Sequence, residues 1–111
     1  MFQRVVVKYL DVSEVENPNE NRIPIPTASI EFLTMSLRTQ AELQLGLLHF
    51  GEEKDRPKPD FQLARHSIDL LAVLLEKTKG NLTLEEHRLL ENSLTELRFR
   101  YIQVVSESQK S

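Results

Sequence analysis

The sequence predicts an all-α fold, a three-helix up-down bundle with a tight helical hairpin and an extended N-terminal arm. Leucines recur at helical spacing in three segments of the chain, which is typical of amphipathic helices. Between the second and third segments, Gly80 is placed to end one helix and Thr83 to begin the next. The chain of 111 residues is long enough for one small domain.

Residues 1–28 are expected to form the extended arm, which ends in a proline-containing linker. Residues 1–12 are rich in β-branched and aromatic side chains, which favour a β-strand. No second run of this kind occurs in the chain, so a strand here would pair with another copy, lie along the helices or stay loose. Pro18, Pro24 and Pro26 oppose helix formation in the linker.

The helical domain is expected to span residues 29–106, and its first two helices each begin at a recognisable cap. Ser29 is the predicted N-cap of the first helix, which is expected to run through about residues 48–50 and to end at Gly51. A polar loop with two prolines follows. Asp60 then caps the second helix.

The second and third helices are predicted to form the hairpin. The second helix should end just before Gly80, because a left-handed residue is favoured there. Thr83 and Glu86 have the spacing of a capping box, in which each side chain accepts from the other residue's backbone amide. The third helix is expected over residues 84–105, and residues 107–111 should form a frayed tail.

The first helix differs from the others because its apolar residues fall on two nearly opposite faces. A helix that is apolar on two sides is either buried on both or exposes a patch that causes association. We therefore predict a homo-oligomer, most simply a two-fold dimer with this helix at its centre. The alternative is that the N-terminal arm covers the second face within one chain. The first face contains Ile30, Leu33, Leu37, Ala41, Leu45 and Leu48. The second face, the candidate interface, contains Phe32, Met35, Leu43, Leu47 and Phe50.

Parts of the first helix and the hairpin resemble a known family. The residues that carry the resemblance are Ser29-Ile30-Glu31-Phe32-Leu33, Leu45-Gly46, Ala64, Ile68-Asp69-Leu70-Leu71, Leu74, Glu76-Lys77-Thr78-Lys79-Gly80-Asn81-Leu82-Thr83, Glu86, Leu89-Leu90 and Leu97-Arg98. Together they are similar to the bacterial family described as domain of unknown function 1844, over roughly residues 26–105. The resemblance implies a small, mostly helical bacterial domain with no assigned activity.

No group of residues in the chain predicts an enzyme, a metal site or a cofactor. His49, His66 and His87 lie on different predicted helices, and none has the Glu-x-x-His or His-x-x-x-His spacing of a metal-binding helix. His87 and Glu91 are one turn apart and are expected to form an exposed surface pair. The chain has no cysteine and no glycine-rich phosphate loop. We therefore expect a protein that is not an enzyme.

Charge and hydropathy bear on the possible partners. The net charge is −3 and no apolar run is long enough to cross a bilayer, so we expect a cytoplasmic protein with no membrane partner. Acidic residues lie among the basic ones near the hairpin turn, which makes nucleic acid the less favoured partner. The candidate basic patch contains Lys77, Lys79, Arg88, Arg98 and Arg100.

These observations lead to one main functional hypothesis and two alternatives. The main hypothesis is a non-catalytic, self-associating helical module that acts as a scaffold or adaptor for an unidentified protein partner. The first alternative is a nucleic-acid or ribonucleoprotein accessory factor that uses the lysine-rich turn between the helices. The second is a small apolar-ligand pocket between the helices.

Overall fold

The computed structural model describes residues 24–110, which form three helices and one short 3-10 turn. Helix α1 spans Ile30–Gln44, α2 spans Phe61–Lys77 and α3 spans Leu84–Lys110. Each helix packs against both others, and no strand occurs in this part of the chain. The predicted all-α bundle is thereby confirmed. Of the arm predicted over residues 1–28, residues 1–23 lie outside the part of the chain that the structure describes.

The starts of α1 and α2 are fixed by side-chain caps. The hydroxyl of Ser29 accepts a 3.0 Å hydrogen bond from the amide of Phe32. In the same way, Oδ1 of Asp60 accepts a 3.0 Å bond from the amide of Leu63. Each cap satisfies one of the backbone donors that the first turn of a helix leaves unpaired, and both caps are those expected from the sequence.

The hairpin turn also follows its sequence signals. Gly80 has a φ of +85°, a conformation that residues with a Cβ rarely adopt. The amide of Glu86 donates to the Thr83 hydroxyl at 3.1 Å, and the amide of Thr83 donates to the Glu86 carboxylate at 2.8 Å. This reciprocal pair is the predicted capping box.

The prediction that α1 continues through residues 48–50 to Gly51 is wrong. The helix ends at Gln44, because Gly46 adopts a φ of +79° and turns the chain. The amide of Gly46 donates to the Leu43 carbonyl at 3.0 Å, and the amide of Leu47 donates to the Glu42 carbonyl at 2.9 Å. These two bonds are the Schellman arrangement that closes many helices at a glycine.

The loop after α1 folds back against the end of that helix. The guanidinium of Arg56 donates to the backbone carbonyl of Gly46 and lies 2.7 Å and 2.9 Å from the Glu53 carboxylate oxygens. Hydrogen bonding and the positive charge of Arg56 lower the pKa of Glu53 below its ordinary value. Arg56 therefore links the 3-10 turn at Glu53–Asp55 to the end of α1.

Helix α3 continues past its predicted end at residue 105, as far as Lys110. No glycine or proline follows Val105, so the sequence contains no residue that would end the helix. Val104 is half-buried, and it lies beside Pro59 and Phe61 at a shallow cavity that also includes Glu107. The last turns of α3 are thus next to the start of α2.

The core lies where the three helices meet. Its buried apolar residues are Ala41, Ile68, Leu71, Leu90, Leu94 and Leu97. Helix α2 runs antiparallel to α1, because the Asp60 amide that precedes α2 bonds to the Gln44 carbonyl at 2.8 Å. It also runs antiparallel to α3, because the Phe61 ring packs edge-on against the Tyr101 ring with centroids 5.9 Å apart. The up-down-up order is therefore the one expected.

Candidate interaction surface

The side of α1 that faces away from the core is uncharged and carries four partly exposed apolar side chains, with the exposed Ser36 and Thr39 among them. Phe32 and Leu43 lie about 180° and 200° around the helix from Ala41, which is fully buried. Leu33 and Met35 lie on either side of them. All four side chains keep between 42% and 45% of their residue surface exposed. We call Phe32, Leu33, Met35 and Leu43 the outer face of α1.

Two members of the predicted second face do not belong to the helix. Leu47 and Phe50 follow the turn at Gly46, so the helical count that placed them with Phe32 does not apply. Leu47 is half-buried beyond the end of α1. Phe50 is 87% exposed in the loop. The structure therefore groups Phe32, Met35 and Leu43 and separates Leu47 and Phe50 from them.

Helix α2 adds exposed apolar residues that the sequence analysis did not single out as a surface. Leu63, Leu70 and Val73 are all exposed. Ser67 lies between them, fully buried, and its hydroxyl bonds to the side chains of Gln40 at 2.9 Å and Gln44 at 2.6 Å.

Charged side chains of α1 are confined to one flank of the helix. Glu31, Arg38 and Glu42 lie within about 60–100° of Ala41 on the same side. Arg38 on this flank donates to Glu96 of α3 at 2.6 Å, and its Nε lies 3.4 Å from Glu42. The charged flank therefore faces α3, and the remaining arc of α1, including its outer face, carries no charge.

Two arginines of the candidate basic patch point in different directions. Arg98 and Arg100 are two positions apart on α3, so their side chains leave the helix about 160° apart. Arg100 lies 3.8 Å from Glu96, on the side of α3 that meets Arg38. Arg98 lines a cleft between α2 and α3. The helix geometry does not bring these two cations together.

The other three basic residues lie around the hairpin turn and are exposed. Lys77 is the last residue of α2, and Lys79 follows it with its Nζ 3.7 Å from the Glu76 carboxylate. Arg88 lies in the second turn of α3. Acidic side chains thus lie among the cations at this end of the bundle, as the interleaved sequence indicated.

The metal-ligating side chains of the described residues are scattered over the bundle. Within residues 24–110, no cluster of three or more histidine, cysteine, aspartate or glutamate side chains could hold a metal ion. His87 Nε2 lies 3.6 Å from the Glu91 carboxylate, and both side chains are exposed, which agrees with the expected surface pair. Across the same residues, no helix is both long and apolar enough to cross a bilayer.

The fold and this surface define a class: a small three-helix bundle whose first helix presents an uncharged, partly apolar face outward. The chain belongs to the family described as domain of unknown function (DUF1844), whose model matches residues 27–103. The matched region contains all of α1 and α2 and most of α3. The resemblance found in the sequence is thereby confirmed. No curated protein and no solved structure matches the chain.

Proposed function

We propose that this protein is a non-catalytic helical module that self-associates through the outer face of α1 and acts as a scaffold or adaptor. The observation that carries the proposal is the partial exposure of Phe32, Leu33, Met35 and Leu43 on one helix. Single exposed apolar residues are common on protein surfaces, but this helix carries four on its uncharged side, three of them within one turn, which supports an interaction site there.

A second copy of the same chain is the occupant that the charge distribution favours. In a two-fold dimer, each outer face meets an identical face. Like charges would repel across such a contact, but Glu31, Arg38 and Glu42 all lie on the flank toward α3. A contact centred on Phe32 and Leu43, which lie outside that flank of the helix, therefore places no charge at its centre.

The amount of apolar surface sets the expected strength of the dimer. Completing the burial of one of these half-exposed side chains contributes roughly 0.7–1.5 kcal/mol, half the value for a fully exposed one. The four residues of each copy then give roughly 6–12 kcal/mol per dimer, whereas association itself costs roughly 4–15 kcal/mol. Only the favourable ends of these ranges, about 8 kcal/mol net, reach a micromolar Kd, so a dimer formed through these residues alone has a Kd in the micromolar range or above. Leu63 and Leu70 of α2 could extend the contact.

The proposal is tested by placing charge in the contact. Phe32→Glu with Leu43→Glu should give a chain that stays monomeric at every concentration, because burying four unpaired carboxylates per dimer is costly. Phe99→Glu is the matched control, since Phe99 is exposed on the outward side of α3 and should leave association unchanged. Sedimentation velocity distinguishes the variants. Equal association of the double variant and the parent chain would overturn the proposal.

Nucleic acid has less support as a partner. Arg98 and Arg100 leave α3 on different sides, and Lys79 and Arg100 each lie near a carboxylate. If the lysine-rich turn did bind RNA or DNA, retention should fall steeply with salt and weaken in a Lys77→Ala, Lys79→Ala variant. Retention that depends on both lysines would favour this alternative over the adaptor proposal.

A further inference from the structure

A cleft between α2 and α3 combines charged, hydroxyl and apolar groups. It is open to solvent and has a volume of about 440 Å³, which is within the range of small-molecule sites in proteins. No residue of α1 lines it. The α2–α3 cleft is lined by Arg65, Ile68, Asp69, Arg98, Tyr101 and Ile102.

The polar groups of the α2–α3 cleft have no partners within residues 24–110. Neither Arg65 nor Arg98 forms an ion pair there, although Asp69 lies one helical turn from Arg65 and lines the same cleft. The Tyr101 hydroxyl likewise makes no hydrogen bond in this part of the chain. By contrast, Arg38 lies 2.6 Å from a glutamate oxygen on the opposite side of the bundle. The cleft therefore offers several hydrogen-bonding groups to a ligand.

The floor of the α2–α3 cleft is held in place by the core. Ile68 is 4% exposed and belongs to the central apolar cluster. The Tyr101 ring is fixed by its edge-on contact with Phe61, at an interplanar angle of 79°. Ile102, at the rim, is largely exposed. A ligand would therefore meet a preformed surface with an apolar side chain left uncovered at its edge, which reduces the cost of binding.

The charges of the α2–α3 cleft define the ligand. Arg65 and Arg98 provide two positive charges and Asp69 one negative charge, so the net charge of +1 suits a monoanion better than a dianion. A guanidinium matches the planar geometry of a carboxylate. Asp69 accepts hydrogen bonds and so fits an N–H donor near that carboxylate. Ile68 and Ile102 suit an apolar substituent.

We propose that the α2–α3 cleft binds an N-acylated aliphatic amino acid through its free carboxylate. Arg65 and Arg98 hold the carboxylate, Asp69 accepts from the amide N–H, and the aliphatic side chain lies on Ile68 and Ile102. The same chemistry occurs in a small metabolite and in the C-terminal residue of a protein chain. This binding site does not depend on the outer face of α1, so either proposal can fail without the other.

The test is an NMR titration of the ¹⁵N-labelled full chain with N-acetyl-leucine. Saturable shifts are expected for amides of residues 65–69 and 98–102, and N-acetyl-leucine amide should not produce them because it lacks the charge. Arg65→Gln and Arg98→Gln should each raise the Kd by about tenfold or more, the loss expected for a charged hydrogen bond. Arg88→Gln is the matched control and should leave the Kd unchanged.

Further titrations distinguish the two ligand sources and test the carboxylate. A short peptide that ends in a free leucine should bind more tightly than N-acetyl-leucine if the natural ligand is a protein C-terminus, and no more tightly if it is a small molecule. Three results would overturn the proposal: no saturable shift at tens of millimolar, equal binding of the amide, or tighter binding of inorganic phosphate. The folding of each variant is checked by its own ¹⁵N spectrum.

Discussion

The amide of Asp60 donates a 2.8 Å hydrogen bond to the carbonyl of Gln44, so the N-cap of α2 is bonded directly to the last residue of α1. The loop between Gln44 and Asp60 therefore begins and ends at adjacent points of the structure. Arg56 within this loop also donates a hydrogen bond to the Gly46 carbonyl. Because the loop closes in this way, α1 and α2 are antiparallel neighbours. Since α1 ends at Gln44, before the turn at Gly46, Leu43 is the last residue of its outer face.

Replacing Gly46 tests the early end of α1. Gly46→Ala should lower the free energy of unfolding by roughly 1–2 kcal/mol, the cost of a left-handed conformation for a residue with a Cβ. Space is not the cause, because a Cβ would lie 3.6 Å from the Pro57 carbonyl oxygen, an ordinary contact. Gly46→Asn should recover part of the loss, since asparagine tolerates this conformation. Thermal unfolding measures the stability of both variants. An unchanged midpoint for Gly46→Ala would contradict the left-handed conformation of Gly46 at the end of α1.

The hydroxyl of Thr34 is buried without a hydrogen-bond partner within residues 24–110. Thr34→Val keeps the shape of the side chain and removes the unsatisfied group, so it should raise the free energy of unfolding by about 1–3 kcal/mol. Ser67→Ala is the contrasting change, because Ser67 bonds to Gln40 and Gln44 and its loss should destabilise. Urea denaturation measures both variants. A destabilised Thr34→Val would indicate that the hydroxyl is satisfied.

The core assignment predicts a large difference between two neighbouring positions of α2. Leu71 is fully buried, whereas Val73 is 54% exposed. Leu71→Ala should lower the free energy of unfolding by about 2–5 kcal/mol through lost burial and the cavity it leaves. Val73→Ala should change it by about 0.5 kcal/mol or less, as is usual for surface positions. Similar losses at both positions in urea denaturation would contradict the described orientation of α2.

The Arg56–Glu53 pair predicts a small acid-sensitive contribution to stability. The lowered pKa of Glu53 means that the folded state favours the ionised carboxylate. This contribution is present above the ordinary glutamate pKa of about 4.3 and is lost as the pH falls through the lowered value. Glu53→Gln should therefore be less stable than the parent chain near pH 7, and the difference should shrink below about pH 4. Glu85→Gln is the control. If the free energy of unfolding depended on pH equally in both variants, the Arg56–Glu53 ion pair would not be the source of the effect.

The helix starts and the hairpin were predictable because their causes are local. The Ser29, Asp60 and Thr83 caps each involve residues three positions apart, and sequence spacing displays this directly. The end of α1 was not predictable in the same way. Leu47 and Leu48 continue the apolar period past Gly46, and only the backbone conformation reveals that Gly46 ends the helix.

The exposed surface was predicted in part. Periodicity located the uncharged arc that contains Phe32 and Leu43, but it could not tell which part of an apolar arc a neighbouring helix covers. Leu33 was placed on the first face of the helix, rather than with Phe32, yet it is 44% exposed. A pocket between the helices was one alternative from the sequence, but its position and its charged lining were not predicted, because Arg65 and Arg98 are distant in sequence and line one cleft only through the packing of two helices.

Sedimentation equilibrium of the full chain is the most direct test of self-association through the outer face of α1. The apparent mass should rise with concentration from that of one chain, 12.9 kDa, toward twice that value across the micromolar range and above. It should remain at the lower value for the Phe32→Glu, Leu43→Glu variant. A parent chain that stays monomeric up to millimolar concentration would contradict the proposal.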